Sequence, residues 1–156
     1  APPPVRSVSI VVGDAARDEL DPDAPYLRAF ELFCVRAGVD VLSLSARGVA
    51  GIGDAVAVHR PNLVVVAGGH LDDDTVARWA YAIRLAVGPT PVALYRRGPQ
   101  RARVRTTATN VLPAGASDAH LRLLELIESE QEEAAHRVSA PRHTRGVGPD
   151  ARTRTA

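Results

Sequence analysis

Apolar residues along this chain fall into two patterns, short runs and longer stretches with helical spacing. The runs predict five strands, at Val5–Val12, Val39–Ser45, Leu63–Ala67, Pro91–Tyr95 and Asn110–Leu112. The helical spacing recurs between and after them, and predicts helices over residues 24–37, 51–59, 73–87 and 117–133. Strands and helices therefore alternate along most of the chain.

This alternation predicts an α/β fold with a doubly wound parallel five-stranded sheet and helices on both faces. Short connections favour the flavodoxin-like strand order 2-1-3-4-5. The strand Leu63–Ala67 is apolar at every position, as a central strand covered on both faces is. Residues 96–109 have no clear period, and a loop, a short helix and a strand pair all stay open for them.

We expect one domain over residues 5–133, because 156 residues with 46% hydrophobic residues suit a single core. Ala1–Pro4 reads as an extended polyproline linker. From Ala134 onward, Pro, Gly and Arg replace apolar residues, and this predicts a disordered tail over 134–156. Since the chain contains no Met, we also expect it to be part of a longer protein.

Charge and residue usage exclude several classes of protein. Nineteen basic residues balance eighteen acidic ones, and all nineteen are arginine, so Schiff-base and P-loop lysines are absent. The single cysteine, Cys34, allows no intrachain disulfide and falls on the apolar side of its predicted helix, where we expect it in the core. No apolar run is long enough to span a membrane, so we expect a cytoplasmic protein without a membrane partner.

Candidate ligand-binding residues follow the predicted strands, because ligands of such sheets bind at the carboxyl ends of the strands. They are Gly13, Asp14, Gly68, Gly69, His70, Tyr95 and Arg96. The stretch "AGGHLDDD" has two interpretations, a ligand loop facing His70 or a strand-to-helix turn in which Asp72 or Asp73 caps the helix. No metal-ligand spacing and no pairing of nucleophile and base is present, so we predict neither a metal site nor catalytic residues.

Two stretches resemble known families. "LRAFELFCVRAGVDVLSLSARGVAGIGDAVAVHRPNLVVVAGG" resembles the cobalamin-binding domain of regulators that also carry a DNA-binding helix-turn-helix, and "NVLPAGASDAHLRLLELI" resembles the end of a response-regulator receiver. The first family's Asp-x-His-x-x-Gly motif aligns with Asp21, Asp23 and Tyr26, so we expect no cofactor and, in particular, no His-ligated cobalamin. The receiver's phosphoacceptor aspartate aligns with Ala67, and its lysine is absent.

The resemblance and the lack of reactive constellations predict a non-enzymatic regulatory or sensory domain. It would serve as the effector or dimerisation module of a DNA-binding regulator, would contact DNA only through another domain, and could take a small-molecule ligand. Trp79 and Tyr81 fall nearly on opposite sides of one helix, which favours a homodimer through that helix or through residues 117–133. The alternatives are a small-molecule-binding enzyme domain with its site at the carboxyl edge, and nucleic-acid binding through Arg96–Arg105.

Overall fold

The structure, a computed structural model, describes residues 7–14, 23–45, 49–68, 73–96 and 110–139. The strands are β1 Ser9–Asp14, β2 Asp40–Ser45, β3 Leu63–Ala67, β4 Val92–Tyr95 and β5 Asn110–Leu112. The helices are α1 Ala24–Arg36, α2 Val49–His59, α3 Asp73–Val87 and α4 Ala116–Ser139. Every pair of neighbouring strands is parallel, and the order across the sheet is β2-β1-β3-β4-β5. The predicted flavodoxin-like α/β fold is thus confirmed.

Two separate cores cover the two faces of the sheet. Helices α1 and α4 pack together on one face, and α2 and α3 pack together on the other. Alternate residues of β3 enter each core: Val65 faces α1 and α4, whereas Val64 and Val66 face α2 and α3. This two-sided burial explains why β3 is apolar at every position.

Several boundaries differ from the sequence prediction, such as the start of α2 at Val49, and two of them bear on the candidate site and the tail. The strand β1 was predicted to stop at Val12, but it also includes Gly13 and Asp14, because both pair with residues of β2 and β3. The predicted tail is corrected for residues 134–139, which continue α4. These residues are exposed, so the sequence has no apolar face there to predict a helix. Helix-forming Ala and Arg side chains and a 3.5 Å ion pair between Arg137 and Glu133 favour the helix.

Four stretches of the chain interior lie outside the described residues, and each follows the carboxyl end of a strand. They are residues 15–22, 46–48, 69–72 and 97–109. Among the described helices, none has the length and apolar character that crossing a lipid bilayer requires.

Candidate functional site: a cleft at the carboxyl edge of the sheet

The register of the sheet brings part of the predicted site together. Asp14 pairs with Ser45 on one side and with Ala67 on the other, and Ala67 pairs with Tyr95. Asp14, Gly68, Tyr95 and Arg96 therefore lie at one edge, as expected from the carboxyl ends of parallel strands. The predicted ligand residues Gly69 and His70 lie outside the described residues, as does Asp72.

Gly13 is a packing residue of the α2 and α3 face. A β-carbon built on Gly13 would lie 2.7 Å from Cδ1 of Ile52 in α2 and 3.8 Å from the ring of Trp79 in α3. Both side chains therefore cover the strand where a ligand would need to approach it. The absence of a side chain at Gly13 admits Ile52 to the sheet.

Gly68 has a conformational reason to be glycine. Its φ of 149° lies in a region that residues with a side chain rarely adopt, and it follows directly after β3. A side chain at this position would therefore be strained. A role in lining a ligand site stays a prediction for Gly68.

Tyr95 lies in the core on the α1 and α4 face, with 3% of its surface exposed. Its ring stacks on Phe30 with centroids 4.9 Å apart and planes 17° from parallel. Its hydroxyl donates a hydrogen bond to the carbonyl of Ala114, at 3.0 Å. These contacts tie β4 to α1 and to the β5–α4 connection, which is a structural role that the sequence prediction did not include.

A cleft of about 370 Å³ opens beside Asp14 on the α1 side of the same edge. We call it the α1 cleft. Its lining combines apolar and polar side chains from β1, α1 and β2: Asp14, Ala24, Leu27, Arg28, Glu31, Ser43 and Leu44. Of these, only Asp14 was predicted from the sequence, and the other six are new site residues.

Glu31 joins the two walls of the α1 cleft. Its carboxylate accepts a hydrogen bond from Arg28 at 3.1 Å and a second, short one from the hydroxyl of Ser43. The side chain of Glu31 is only 12% exposed, whereas that of Arg28 is 75% exposed. A carboxylate held so far from water needs these donors, because burying an unpaired charge is costly.

The sequence carried one signal for this cluster, the spacing of three between Arg28 and Glu31, which allows an ion pair on a helix. The partner on the strand had no such signal. Ser43 is twelve residues from Glu31, and only the packing of α1 against β2 brings the two together.

Cys34 follows Glu31 by three residues and points into the core, with 1% of its surface exposed, as predicted. Burial and then the negative charge of Glu31 raise the pKa of its thiol to about 12. The thiol is therefore protonated near neutral pH and is a poor nucleophile.

Three further points of the sequence analysis concern phosphorylation, metal binding and nucleic-acid binding. Ala67, in the position of a receiver's phosphoacceptor, is 4% exposed at the end of β3. Within the described residues, His, Cys, Asp and Glu side chains form no group of three that could hold a metal ion. Of the basic segment Arg96–Arg105, only Arg96 is described, so the nucleic-acid alternative falls almost wholly outside the structure.

Comparison with known proteins adds evidence on the fold. No family model and no curated protein matches the chain. A solved structure from Peptoclostridium difficile 630, described as a "putative lipoprotein" fragment, superposes with a TM-score of 0.51 at 9% identity, and covers 80% of this chain and 98% of that one. At this identity the likeness is one of architecture, and it places the chain among α/β proteins of flavodoxin-like fold.

Proposed function

We propose that this domain is a non-enzymatic sensory module that binds a small polar ligand in the α1 cleft. The observation that carries the proposal is the Glu31 carboxylate, enclosed in the wall of an open cleft at the carboxyl edge of the sheet. Ligands of doubly wound sheets bind at this edge, and a volume of about 370 Å³ suits a small metabolite.

Glu31 and Asp14 give the cleft its chemical preference. Two carboxylates and one exposed guanidinium favour a ligand that offers hydrogen-bond donors or a positive charge, such as an amine or a polyol. The exposed side chain of Arg28 is the easiest of the Glu31 partners to displace, since an exposed ion pair contributes little to stability.

Displacing a partner of Glu31 would also supply a signal. Ser43 joins α1 to β2 through this carboxylate, and α1 packs against α4 on the same face. A ligand that competes with Ser43 would thus change how α1 sits between the sheet and α4. The further role as effector or dimerisation module of a DNA-binding regulator rests on the sequence resemblance.

Thermal unfolding with four probes tests the ligand proposal: spermidine, agmatine, myo-inositol and AMP. We expect the amine or polyol probes to raise Tm, and AMP to have no effect. Glu31→Gln should abolish the rise. Glu125→Gln is the matched control, because Glu125 pairs with Arg122 at the same spacing and at 3.0 Å but is 65% exposed on α4.

Amide NMR shifts during titration with the same probes locate the binding. Changes confined to the ends of β1 and β2 and the first half of α1 support the α1 cleft. A probe that raises Tm equally in the native chain and in Glu31→Gln contradicts the proposal. So does a Tm that is insensitive to all four probes together with unchanged amide shifts.

The enzyme alternative has one observation in its favour, the hydrogen bond from Ser43 to Glu31. A serine nucleophile is usually activated by histidine, and the side chains that line the α1 cleft in the described part of the chain include none. Hydrolysis of p-nitrophenyl acetate that disappears in Ser43→Ala would favour the enzyme alternative over the sensory one.

A further inference from the structure

The outer face of α3 carries an exposed apolar pair that has no role in the core. Val76, Ala80 and Ile83 point into the core on the opposite side of this helix. Tyr81 and Leu85, one turn apart, are 64% and 70% exposed. Trp79 packs against the core, whereas Tyr81 faces outward. The prediction that these two aromatic residues lie on opposite sides of the helix is thus confirmed.

The exposed residues of this face follow the spacing of a helix-pairing seam. Asp74, Arg78, Tyr81 and Leu85 are separated by four, three and four positions, and all are exposed. This spacing keeps them in one line along the helix, as in the seam of two packed helices. We call these four residues the α3 seam.

The α3 seam is complementary to itself when a second copy runs antiparallel. With a two-fold axis at the level between Trp79 and Ala80, Arg78 lies opposite Tyr81 of the other copy, and Asp74 lies opposite Leu85. A guanidinium over a tyrosine ring is a favourable cation–π contact. The same register brings Asp74 next to exposed Arg84 of the second copy, which pairs opposite charges at both ends.

We propose that the α3 seam is a homodimer interface in which two copies of α3 pack antiparallel about a two-fold axis. Small side chains leave room for it, because Ala77 and Ala82 flank the α3 seam on its two sides and are half-buried. Small residues at the edge of a helix let a second helix approach closely. The occupant of the face is a second copy because the residues that complement Arg78 and Asp74, namely Tyr81 and Arg84, lie on the same helix.

Leu121, on the other helix predicted for a dimer, lacks this property. On α4, Leu121 is 51% exposed and lies beside Arg122 and Glu125, which already pair with each other. The α1 cleft lies on the opposite face of the sheet from α3, so the dimer is independent of the proposed ligand. A helix of fifteen residues is about 22 Å long. Since a pair of such helices is small beside a standard interface, the dimer dissociates at low micromolar concentration.

Sedimentation velocity at increasing concentration tests the interface with a pair of charge reversals. The native chain should shift from the 16.5 kDa monomer towards the dimer at high micromolar concentration. Asp74→Arg and Arg84→Asp each place like charges at both ends of the α3 seam, so each alone should weaken self-association at least about tenfold. An equimolar mixture should associate again, because the heterodimer has opposite charges at both ends.

Recovery in the mixture shows that both variants are folded. Should either fail to fold by circular dichroism, Tyr81→Arg replaces it, and loss of the dimer is expected there too. Leu121→Arg is the control on α4 and should dimerise like the native chain. A native chain that stays monomeric, a mixture that does not recover, or a dimer lost in Leu121→Arg would overturn the proposal.

Discussion

Gly13 and Ile52 meet so closely that a β-carbon on the glycine would lie 2.7 Å from Cδ1 of the isoleucine. Ile52 is 1% exposed, so its side chain has little space into which it could move. The contact joins the carboxyl end of the interior strand β1 to α2. Residue 13 must therefore lack a side chain if Ile52 is to pack against the sheet on the α2 and α3 face.

Gly13→Ala should therefore destabilise the domain by about 1–3 kcal/mol, the usual cost of overpacking a core. Ile52→Val removes the methyl group that would clash with a β-carbon at position 13. The double variant should therefore lose less free energy of unfolding than the sum of the two single losses. Urea unfolding measures both. Gly51→Ala is the control, because a β-carbon there meets nothing within 4 Å and the helix should gain up to about 1 kcal/mol. Additive effects of Gly13→Ala and Ile52→Val would show that the contact is not limiting.

Tyr95→Phe separates a structural role from a ligand-binding one. The variant keeps the stack on Phe30 and loses the hydrogen bond to Ala114, so the free energy of unfolding should fall by about 0.5–1.5 kcal/mol. Tyr81→Phe, on the exposed face of α3, should have no comparable effect in the same urea titration. If Tyr95→Phe leaves stability unchanged but alters the binding of a probe, the predicted ligand role of Tyr95 is the correct one.

Cys34 makes stability fall at alkaline pH. Its pKa of about 12 in the folded state exceeds the value of 9.0 for a free thiol, so the folded state holds the proton more tightly. This contribution is complete below pH 9 and is lost as the pH rises towards 12. Between pH 8 and pH 11, we expect the native chain to lose about 2–3 kcal/mol more than Cys34→Ala does. Parallel slopes for the two proteins in urea unfolding would contradict a buried, protonated thiol.

Two cofactor-type reagents should leave the protein unchanged. In the alignment that the sequence resemblance implies, Asp23 stands in the place of a cobalt-ligating histidine, so hydroxocobalamin should wash off in desalting and leave a colourless protein. Ala67 cannot accept a phosphoryl group, so beryllofluoride should not change Tm. A red protein with the spectrum of histidine ligation, or a raised Tm with beryllofluoride, would mean that the sequence resemblance was aligned wrongly.

The sequence predicted the fold well because burial on both faces leaves a strong pattern. The continuous run Leu63–Ala67 marks the centre of the sheet, and the helical spacing of Val76, Ala80 and Ile83 marks the inward face of α3. Helix ends were less predictable where no core contact fixes them. The last six residues of α4 are all exposed, so their helix depends on local propensity and side-chain pairing alone.

The sequence predicted where the candidate site lies, but not the contacts that its residues make. That Asp14, Gly68 and Tyr95 share one edge follows from topology, which the alternation of strands and helices encodes. What each residue does there depends on contacts across the fold, such as Ile52 against Gly13. The pairing of Glu31 with Ser43 belongs to the same class, because neither residue type is unusual for its own element.

The order of the strands has a consequence for folding during synthesis. Strands β2, β1 and β3 are neighbours and are complete once residue 67 has emerged from the ribosome, so three of the five strands can assemble early. The core on the α1 face must wait, however, because α4, which packs with Leu27 and Phe30 of α1 in that core, begins only at Ala116. Until then a nascent chain exposes an apolar surface for several seconds at ordinary translation rates of about 5–20 residues per second. The architecture thus makes the last helix the step that buries this apolar surface and ends its exposure during synthesis.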